Sequence, residues 1–239
     1  MSGHSKWSTI KRKKGAIDAE RGKVFAKLAK EIYVAAKSGD ADPANNAALR
    51  MVVEKAKAEN MPKSNIQNAI DKAKAKGSGE NYEAIRYEGY GPSGMAIMID
   101  CLTDNKNRTA SFVRSTLTKR GGNLGTDGSV SYMFKRKGII VLDKKYDEDE
   151  LMTFVLDLDI EDFKSEEDCY VIETTPFNFK SVKEALENNN YNDFLTSEVT
   201  YVADNCLSLD DEAMEKAVSL IESLEDLDDV QSVYHNLDM

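Results

Sequence analysis

The chain has 239 residues and a formal net charge of −10, with 32 Lys and Arg against 42 Asp and Glu. Its three cysteines are too few and too widely spaced for a disulfide framework, so all three are expected to be buried packing residues. The apolar runs are too short to cross a bilayer. These features argue against a disulfide-stapled secreted domain and a helical membrane protein, and they predict a cytoplasmic protein with a sizeable core.

Charge changes along the chain in steps. Residues 1–77 hold 17 Lys and Arg against 8 Asp and Glu, a net of +9, whereas residues 78–142 carry +3 and residues 143–239 carry −22. Clustered cations attract phosphate backbones, and an acidic body repels them. This polarity indicates nucleic acid as the first partner to consider.

The basic segment predicts an arm followed by three helices. The run Lys11-Arg12-Lys13-Lys14 has no apolar period and is expected to be extended or loosely ordered. Apolar residues then recur at helical spacing from Asp18 to Lys37, from Asp42-Pro43 to Asn60, and from Pro62 to Gly77. Three short amphipathic helices with brief turns predict a helical bundle.

The rest of the chain alternates strands and helices. Two strands are expected around the turn 91–94, followed by a helix from Asn107 to Arg120 with Phe112, Val113 and Leu117 pointing inward. The next predicted elements are strand 129–142, helix 149–158, strand 161–164, strand 169–174, helix 178–188 and strand 197–202. This βαββαβ order predicts a ferredoxin-like unit, and a last helix, 211–224, and strand, 230–234, follow it.

Five sequence blocks together resemble the YebC family. They are GHSKW at 3–7, YEGYGPSG at 87–94, DNKNRTA at 104–110, GGNLGTDGSVSYMF at 121–134 and LEDLDDVQSVYHN at 224–236. The resemblance implies a multidomain α and α+β fold with an N-terminal three-helix bundle, an α+β middle domain and an inserted ferredoxin-like domain. The implied boundaries are 1–77 for the arm and bundle, 78–130 plus 205–239 for the middle domain, and 131–204 for the insertion.

The same resemblance implies two competing functions. Bacterial members are described as cytoplasmic, DNA-binding probable transcriptional regulators, which implies a regulator of gene expression without catalytic activity. Mitochondrial relatives are described as translational activators and some bacterial members as ribosome-associated factors. The alternative is therefore a translation factor that binds ribosomal RNA or tRNA and assists synthesis of difficult sequences. A pure protein-interaction module is the third interpretation.

The first set of candidate nucleic-acid-binding residues lies in the arm and the first helix. Its members are Lys6, Trp7, Lys11, Arg12, Lys13, Lys14, Arg21, Lys23, Lys27 and Lys30. The cations can neutralise phosphates, and Trp7 can stack on an unpaired base. The alternative is that Trp7 caps the bundle and the lysines are simply solvated.

The second set lies on the predicted helix 107–120 and precedes the glycine-rich loop 121–128. Its cations are Arg108, Arg114, Lys119 and Arg120, with Asn107 beside them. Glycines let backbone N–H groups approach a phosphate, and neighbouring cations favour an anion. The alternative is an ordinary helix C-cap and a connection into the next strand.

Acidic and catalytic candidates give weaker signals. The cluster Glu222, Glu225, Asp226, Asp228 and Asp229 lacks the spacing of a calcium loop, so a solvated helix end or a docking surface for a basic partner is favoured over a metal site. The two histidines, His4 and His235, belong to no catalytic or metal-binding pattern. The sequence therefore predicts no catalytic residue, metal, cofactor, small-molecule substrate or membrane partner.

Overall fold

A computed structural model describes residues 19–75 and 81–238, which form two compact units. One unit contains the described residues up to 127 together with 212–233, and the other contains 128–211 together with 234–238. The helices are α1 Ala19–Ser38, α2 Ala47–Ala58, α3 Lys63–Lys74, α4 Lys106–Lys119, α5 Glu148–Leu156, α6 Phe179–Asn188 and α7 Asp211–Glu225. The strands are β1 Glu83–Tyr90, β2 Ala96–Thr103, β3 Asn123–Leu124, β4 Phe134–Asp143, β5 Asp162–Ser165, β6 Cys169–Thr174, β7 Phe194–Ala203 and β8 Val230–His235.

Helices α1, α2 and α3 form the predicted bundle around their own apolar core. Each helix contributes buried side chains at helical spacing, among them Leu28, Ile32, Leu49, Val53, Ile66 and Ile70. The predicted start of the second helix at Asp42 is wrong. Asn46 is the N-cap, because its Oδ1 accepts a hydrogen bond from the Leu49 N–H at 3.0 Å, while Asp42 Oδ1 accepts from Ala44 N–H in the preceding turn.

The first sheet has the strand order β3-β1-β2-β8. Strand β2 is almost fully buried, and β1 pairs with it antiparallel along its whole length, from Glu83 opposite Thr103 to Tyr90 opposite Ala96. Helix α4 contacts this sheet and buries Val113 and Leu117 completely. This packing fixes which side of α4 is left for solvent.

The second sheet has the order β5-β6-β4-β7, with the pairs β5–β6, β6–β4 and β4–β7 all antiparallel. Helices α5 and α6 connect its strands in the order βαββαβ, so the ferredoxin-like prediction is confirmed. Its main core contains Ile140, Leu142, Leu151, Val155, Tyr170, Ile172, Val182 and Leu186. Strand β4 begins at Phe134 rather than at the predicted Ser129, because residues 131–133 form a 3-10 turn.

The cysteine prediction is confirmed for two residues and wrong for the third. Cys101 and Cys169 are buried, whereas Cys206 is exposed. Burial raises the pKa of Cys101 to about 12, so this thiol stays protonated and unreactive at neutral pH.

Two negative findings concern residues 19–75 and 81–238. That part of the chain holds no helix long and apolar enough to span a bilayer. It also holds no group of three or more His, Cys, Asp or Glu side chains arranged to bind a metal ion.

Candidate nucleic-acid interface

Helix α4 presents an exposed face without acidic residues. Its sequence, KNRTASFVRSTLTK, contains four cations, five hydroxyl-bearing residues and no Asp or Glu. The helix starts where it does because Asn105 Oδ1 accepts a hydrogen bond from Arg108 N–H at 3.1 Å. With Val113 and Leu117 buried against the sheet, the polar and cationic positions face solvent.

Phe112 belongs to this exposed face, so the prediction that it points inward is wrong. Its side chain is 53% exposed. It lies four residues after Arg108 and therefore shares the same side of the helix. The exposed ring gives α4 a flat apolar surface, which suits stacking of an unpaired base.

The cations near α4 differ in their availability. Arg114 and Lys119 make no ion pair or hydrogen bond with the described part of the chain. Arg120 donates from Nη1 to Ser219 Oγ at 2.7 Å, and Lys106 pairs with Glu83. Arg114 and Lys119 are therefore the predicted site residues of α4 best placed to contact phosphate.

The glycine-rich loop after α4 is a helix cap. The Gly122 N–H donates to Leu117 O at 2.8 Å and the Gly121 N–H donates to Thr118 O at 3.3 Å, which is the Schellman pattern. Gly121 has the left-handed φ of +80° that this pattern requires. The Gly125 N–H donates to Glu88 O at 2.8 Å. These three amides already have backbone acceptors and are not available to a phosphate.

The lysines of α1 contact an acidic turn of the same chain, which we define as Glu225, Asp226, Asp228 and Asp229. Lys23 Nζ lies 2.8 Å from Asp226 Oδ1, and Lys27 Nζ donates to the Glu225 carbonyl at 2.6 Å. Lys30 Nζ donates to the Asp228 carbonyl at 2.9 Å and pairs with Asp229 Oδ1 at 3.0 Å. The acceptors lie at the C-terminus of α7, where the helix dipole also favours cations. The acidic turn thus binds the protein's own first helix.

Asp229 is the most connected side chain of this turn. Its Oδ2 accepts hydrogen bonds from Thr109 Oγ1 at 2.8 Å, Thr103 Oγ1 at 3.1 Å and Arg108 Nη2 at 3.2 Å, and its side chain is only 11% exposed. Burial raises the pKa of Asp229, but the hydrogen bonds from Lys30, Thr109 and Arg108 outweigh burial and hold the pKa below its ordinary value. Asp229 is therefore a charged structural junction.

A cleft of about 530 Å³ lies beside this junction. Its lining comes from α1, from α4 and the segment before it, from the acidic turn with Leu227, and from the residue before β1. The lining residues are Lys30, Tyr82, Asp104, Arg108, Thr109, Phe112, Asp226, Leu227, Asp228 and Asp229. Lys30 Nζ lies 5.6 Å from the Tyr82 ring centroid. Sequence reasoning did not find this cleft, because its lining residues are scattered over about 200 positions of the chain.

The other predicted site residues are distributed as follows. Arg21 is exposed on α1. Lys6, Trp7, Lys11, Arg12, Lys13 and Lys14 lie outside the described residues. Among the described residues, Lys23, Lys27 and Lys30 of α1 therefore contact the acidic turn, whereas Arg114 and Lys119 of α4 face solvent.

Two known family models match this chain. Residues 5–76 match the family model "TACO1/YebC protein N-terminal domain", and residues 82–237 match "TACO1/YebC second and third domain". The chain belongs to the TACO1/YebC family. The resemblance drawn from the five sequence blocks is thereby confirmed.

Relatives of this TACO1/YebC protein match over their whole length. "Probable transcriptional regulatory protein YrbC" of Bacillus subtilis is 53% identical, with 99% of each chain covered. "Probable transcriptional regulatory protein GK2594" of Geobacillus kaustophilus is 52% identical and covers 100% of this chain and 98% of its own. The crystal structure of the conserved hypothetical protein Aq1575 from Aquifex aeolicus matches with a TM-score of 0.80 and 42% identity, covering 93% of this chain and 92% of that one.

Proposed function

We infer that this TACO1/YebC protein is a non-enzymatic regulator of gene expression that acts by binding nucleic acid. The observation that carries the inference is the acid-free exposed face of α4, on which Arg114 and Lys119 have no partner in the described part of the chain. Phosphate contacts of this kind position a protein on nucleic acid without reading its sequence. The names of the curated relatives support transcription, and hence duplex DNA, as the first target.

A second candidate is a ribosome-associated translation factor that binds ribosomal RNA or tRNA. The exposed ring of Phe112 favours this candidate, because aromatic side chains stack on unpaired bases, which structured RNA offers and intact duplex DNA does not. The basic arm suits either target, since Lys6, Lys11, Arg12, Lys13 and Lys14 add phosphate contacts and Trp7 adds a second stacking surface. Both candidates place the protein in the cytoplasm.

One competition titration separates the two targets. The full chain, at a fixed near-physiological salt concentration, is titrated against ribosomes, ribosomal RNA fragments and duplex promoter DNA, with excess nonspecific duplex as competitor. Promoter binding that survives the competitor supports the transcriptional regulator. A clear preference for ribosomes or ribosomal RNA supports the translation factor. Absence of binding to all three would overturn nucleic-acid binding and favour a protein-interaction module.

A further inference from the structure

The charges around the cleft beside Asp229 disfavour binding of a phosphate. Its two cations, Lys30 and Arg108, already pair with Asp229, while Asp104, Asp226 and Asp228 add further negative charge to its rim. A phosphate entering this space would meet more carboxylates than unpaired cations and would be repelled. Its volume of about 530 Å³ lies in the usual range for small-ligand sites.

The cleft is lined by two aromatic rings and by a carboxylate that can accept hydrogen bonds from a ligand. Phe112 presents a half-exposed ring at the cleft, and Tyr82 lies on its lining. The Asp228 carboxylate is exposed, and within residues 19–75 and 81–238 it has no ion-pair or hydrogen-bond partner. The cleft therefore offers a surface for a flat ring and an acceptor for two neighbouring N–H donors.

Guanine is the base that meets both conditions. Its N1–H and N2–H₂ groups are adjacent donors on the Watson–Crick edge, and a carboxylate accepts such a pair in a bidentate arrangement. Adenine, cytosine and uracil each present at least one acceptor at the corresponding positions, which a carboxylate repels. Unpaired bases are available for this contact in single strands and in loops of structured RNA.

We propose that the cleft between α1, α4 and the acidic turn binds a single unpaired guanine, stacked on Phe112 and held through its Watson–Crick edge by Asp228. The proposal rests on the nucleic-acid-binding function above and deepens it. Phosphates flanking the guanine would lie outside the cleft, where Lys119, about two helical turns after Phe112 on the same side of α4, is available. The acidic turn would then supply base preference, and the basic face of α4 would supply affinity.

The test uses fluorescently labelled RNA dodecamers and the full chain. One dodecamer is all uridine, and four others carry a single central guanine, inosine, adenine or cytosine. We expect the guanine RNA to bind about tenfold more tightly than the adenine and cytosine RNAs, with inosine intermediate because it lacks the N2 amine. Asp228→Asn should abolish the guanine preference and leave binding of the all-uridine RNA unchanged.

A charge-matched control separates base recognition from a general electrostatic effect. Glu222 is exposed on α7 and does not line the cleft, so Glu222→Gln should retain the full guanine preference. Equal binding of all four single-base RNAs by the unaltered protein would overturn the guanine site while leaving nucleic-acid binding intact. A preference that survives Asp228→Asn would also overturn it. Failure to bind any RNA or duplex DNA would instead contradict the proposed nucleic-acid-binding function.

Discussion

The carboxylate of Asp229 joins three elements that are far apart in sequence. It contacts Lys30 of α1, Thr103 of β2, and both Arg108 and Thr109 of α4. Because the side chain is almost buried, replacing the carboxylate by an amide is costly: one acceptor oxygen becomes an NH2 donor, which leaves some of these donors without an acceptor. The connection of the bundle to the first sheet therefore depends strongly on one residue.

Replacing Asp229 by Asn tests this dependence. We expect Asp229→Asn to lower the free energy of unfolding by about 2–3 kcal/mol, because a charged acceptor of several hydrogen bonds is lost at a nearly buried position. Urea titration followed by circular dichroism measures the change. Asp226→Asn is the matched control: its partner Lys23 is 51% exposed and Asp226 itself 69% exposed, so we expect a loss below about 1 kcal/mol. Equal losses in the two variants would contradict this account.

The environments of two single residues, Phe112 and Asp229, could not be predicted from the sequence. Phe112 was predicted inward because it sits beside Val113 in an apolar pattern, yet only Val113 and Leu117 face the sheet. Asp229 was grouped with its exposed neighbours, and nothing local distinguishes it. Its burial follows from partners more than 100 positions away, which no local pattern reveals. The role of each predicted cation in nucleic-acid binding stays a prediction.

At the scale of elements, the end of α4 depends on glycine. Gly121 adopts a φ of +80°, which costs a residue with a Cβ about 1–2 kcal/mol. Gly121→Ala should therefore lower the free energy of unfolding by that amount in a urea titration. Gly22→Ala is the control within α1: an added Cβ meets no atom within 4 Å, so this change should raise stability by about 0.5–1 kcal/mol. Stabilisation by Gly121→Ala would contradict the cap assignment.

The exposed face of α4 predicts a measurable salt effect. Each phosphate contact contributes about 0.7–0.9 to the slope of log affinity against log salt concentration. The double variant Arg114→Ala, Lys119→Ala should weaken binding to all sequences and reduce the slope by about 1.4–1.8. Filter binding over a salt series gives both quantities. The variant Lys180→Ala, Lys216→Ala makes the same charge change on α6 and α7. A similar loss of affinity and slope in that variant would show that net charge, rather than the position of the cations on α4, causes the effect.

Most elements could be predicted from sequence because their apolar periods are clear. The bundle helices and the βαββαβ order are of this kind. Strand β3 was not predicted, since a two-residue strand, Asn123–Leu124, carries no period and forms only by pairing with β1. The start of α2 was misplaced because Asp42-Pro43 also has the pattern of a helix start, and the hydrogen bond from Leu49 to Asn46 decides between the two.

At the scale of the whole molecule, each compact unit holds a carboxylate whose pKa is lowered. In the ferredoxin-like sheet, burial raises the pKa of Glu173, but hydrogen bonds from Lys137, at 2.7 Å, and Lys164 outweigh burial and hold this pKa below its ordinary value. The pKa of Asp229 in the other unit is also held below its ordinary value. A lowered carboxylate pKa contributes stability that is present above the unfolded-state pKa and is lost as pH falls through the folded-state value.

Acid titration should therefore weaken both units. We expect the midpoint of thermal unfolding to be steady from neutral pH to about pH 5 and to fall below about pH 4. Glu173→Gln should lower the unfolding midpoint at pH 7. In this variant, the unfolding midpoint of the unit that contains β4 to β7 should also fall less as the pH is lowered. Calorimetry between pH 7 and pH 2 measures both effects. An unchanged pH dependence in Glu173→Gln would show that this carboxylate does not govern acid stability.

The charge polarity of the chain is partly neutralised within the molecule. The sequence assigns a net charge of +9 to residues 1–77 and −22 to residues 143–239. In the structure, Lys23 and Lys30 form ion pairs with Asp226 and Asp229. The cationic surface available to a partner is therefore smaller than composition suggests. The cations of α4, although few, then make up a larger share of that surface.

The contacts between α1 and the acidic turn also set an order of events during biosynthesis. Lys23 and Asp226 are 203 positions apart, and β8, which completes the first sheet beside β2, begins only at Val230. Protein domains generally fold from the N-terminus as the chain emerges. The bundle can bury its own core early, but its lysines lack these acceptors until the acidic turn, about 200 residues later, has been made. During that interval the α1 lysines of the nascent protein are without these acidic acceptors, and the first sheet is completed only when β8 has followed the acidic turn.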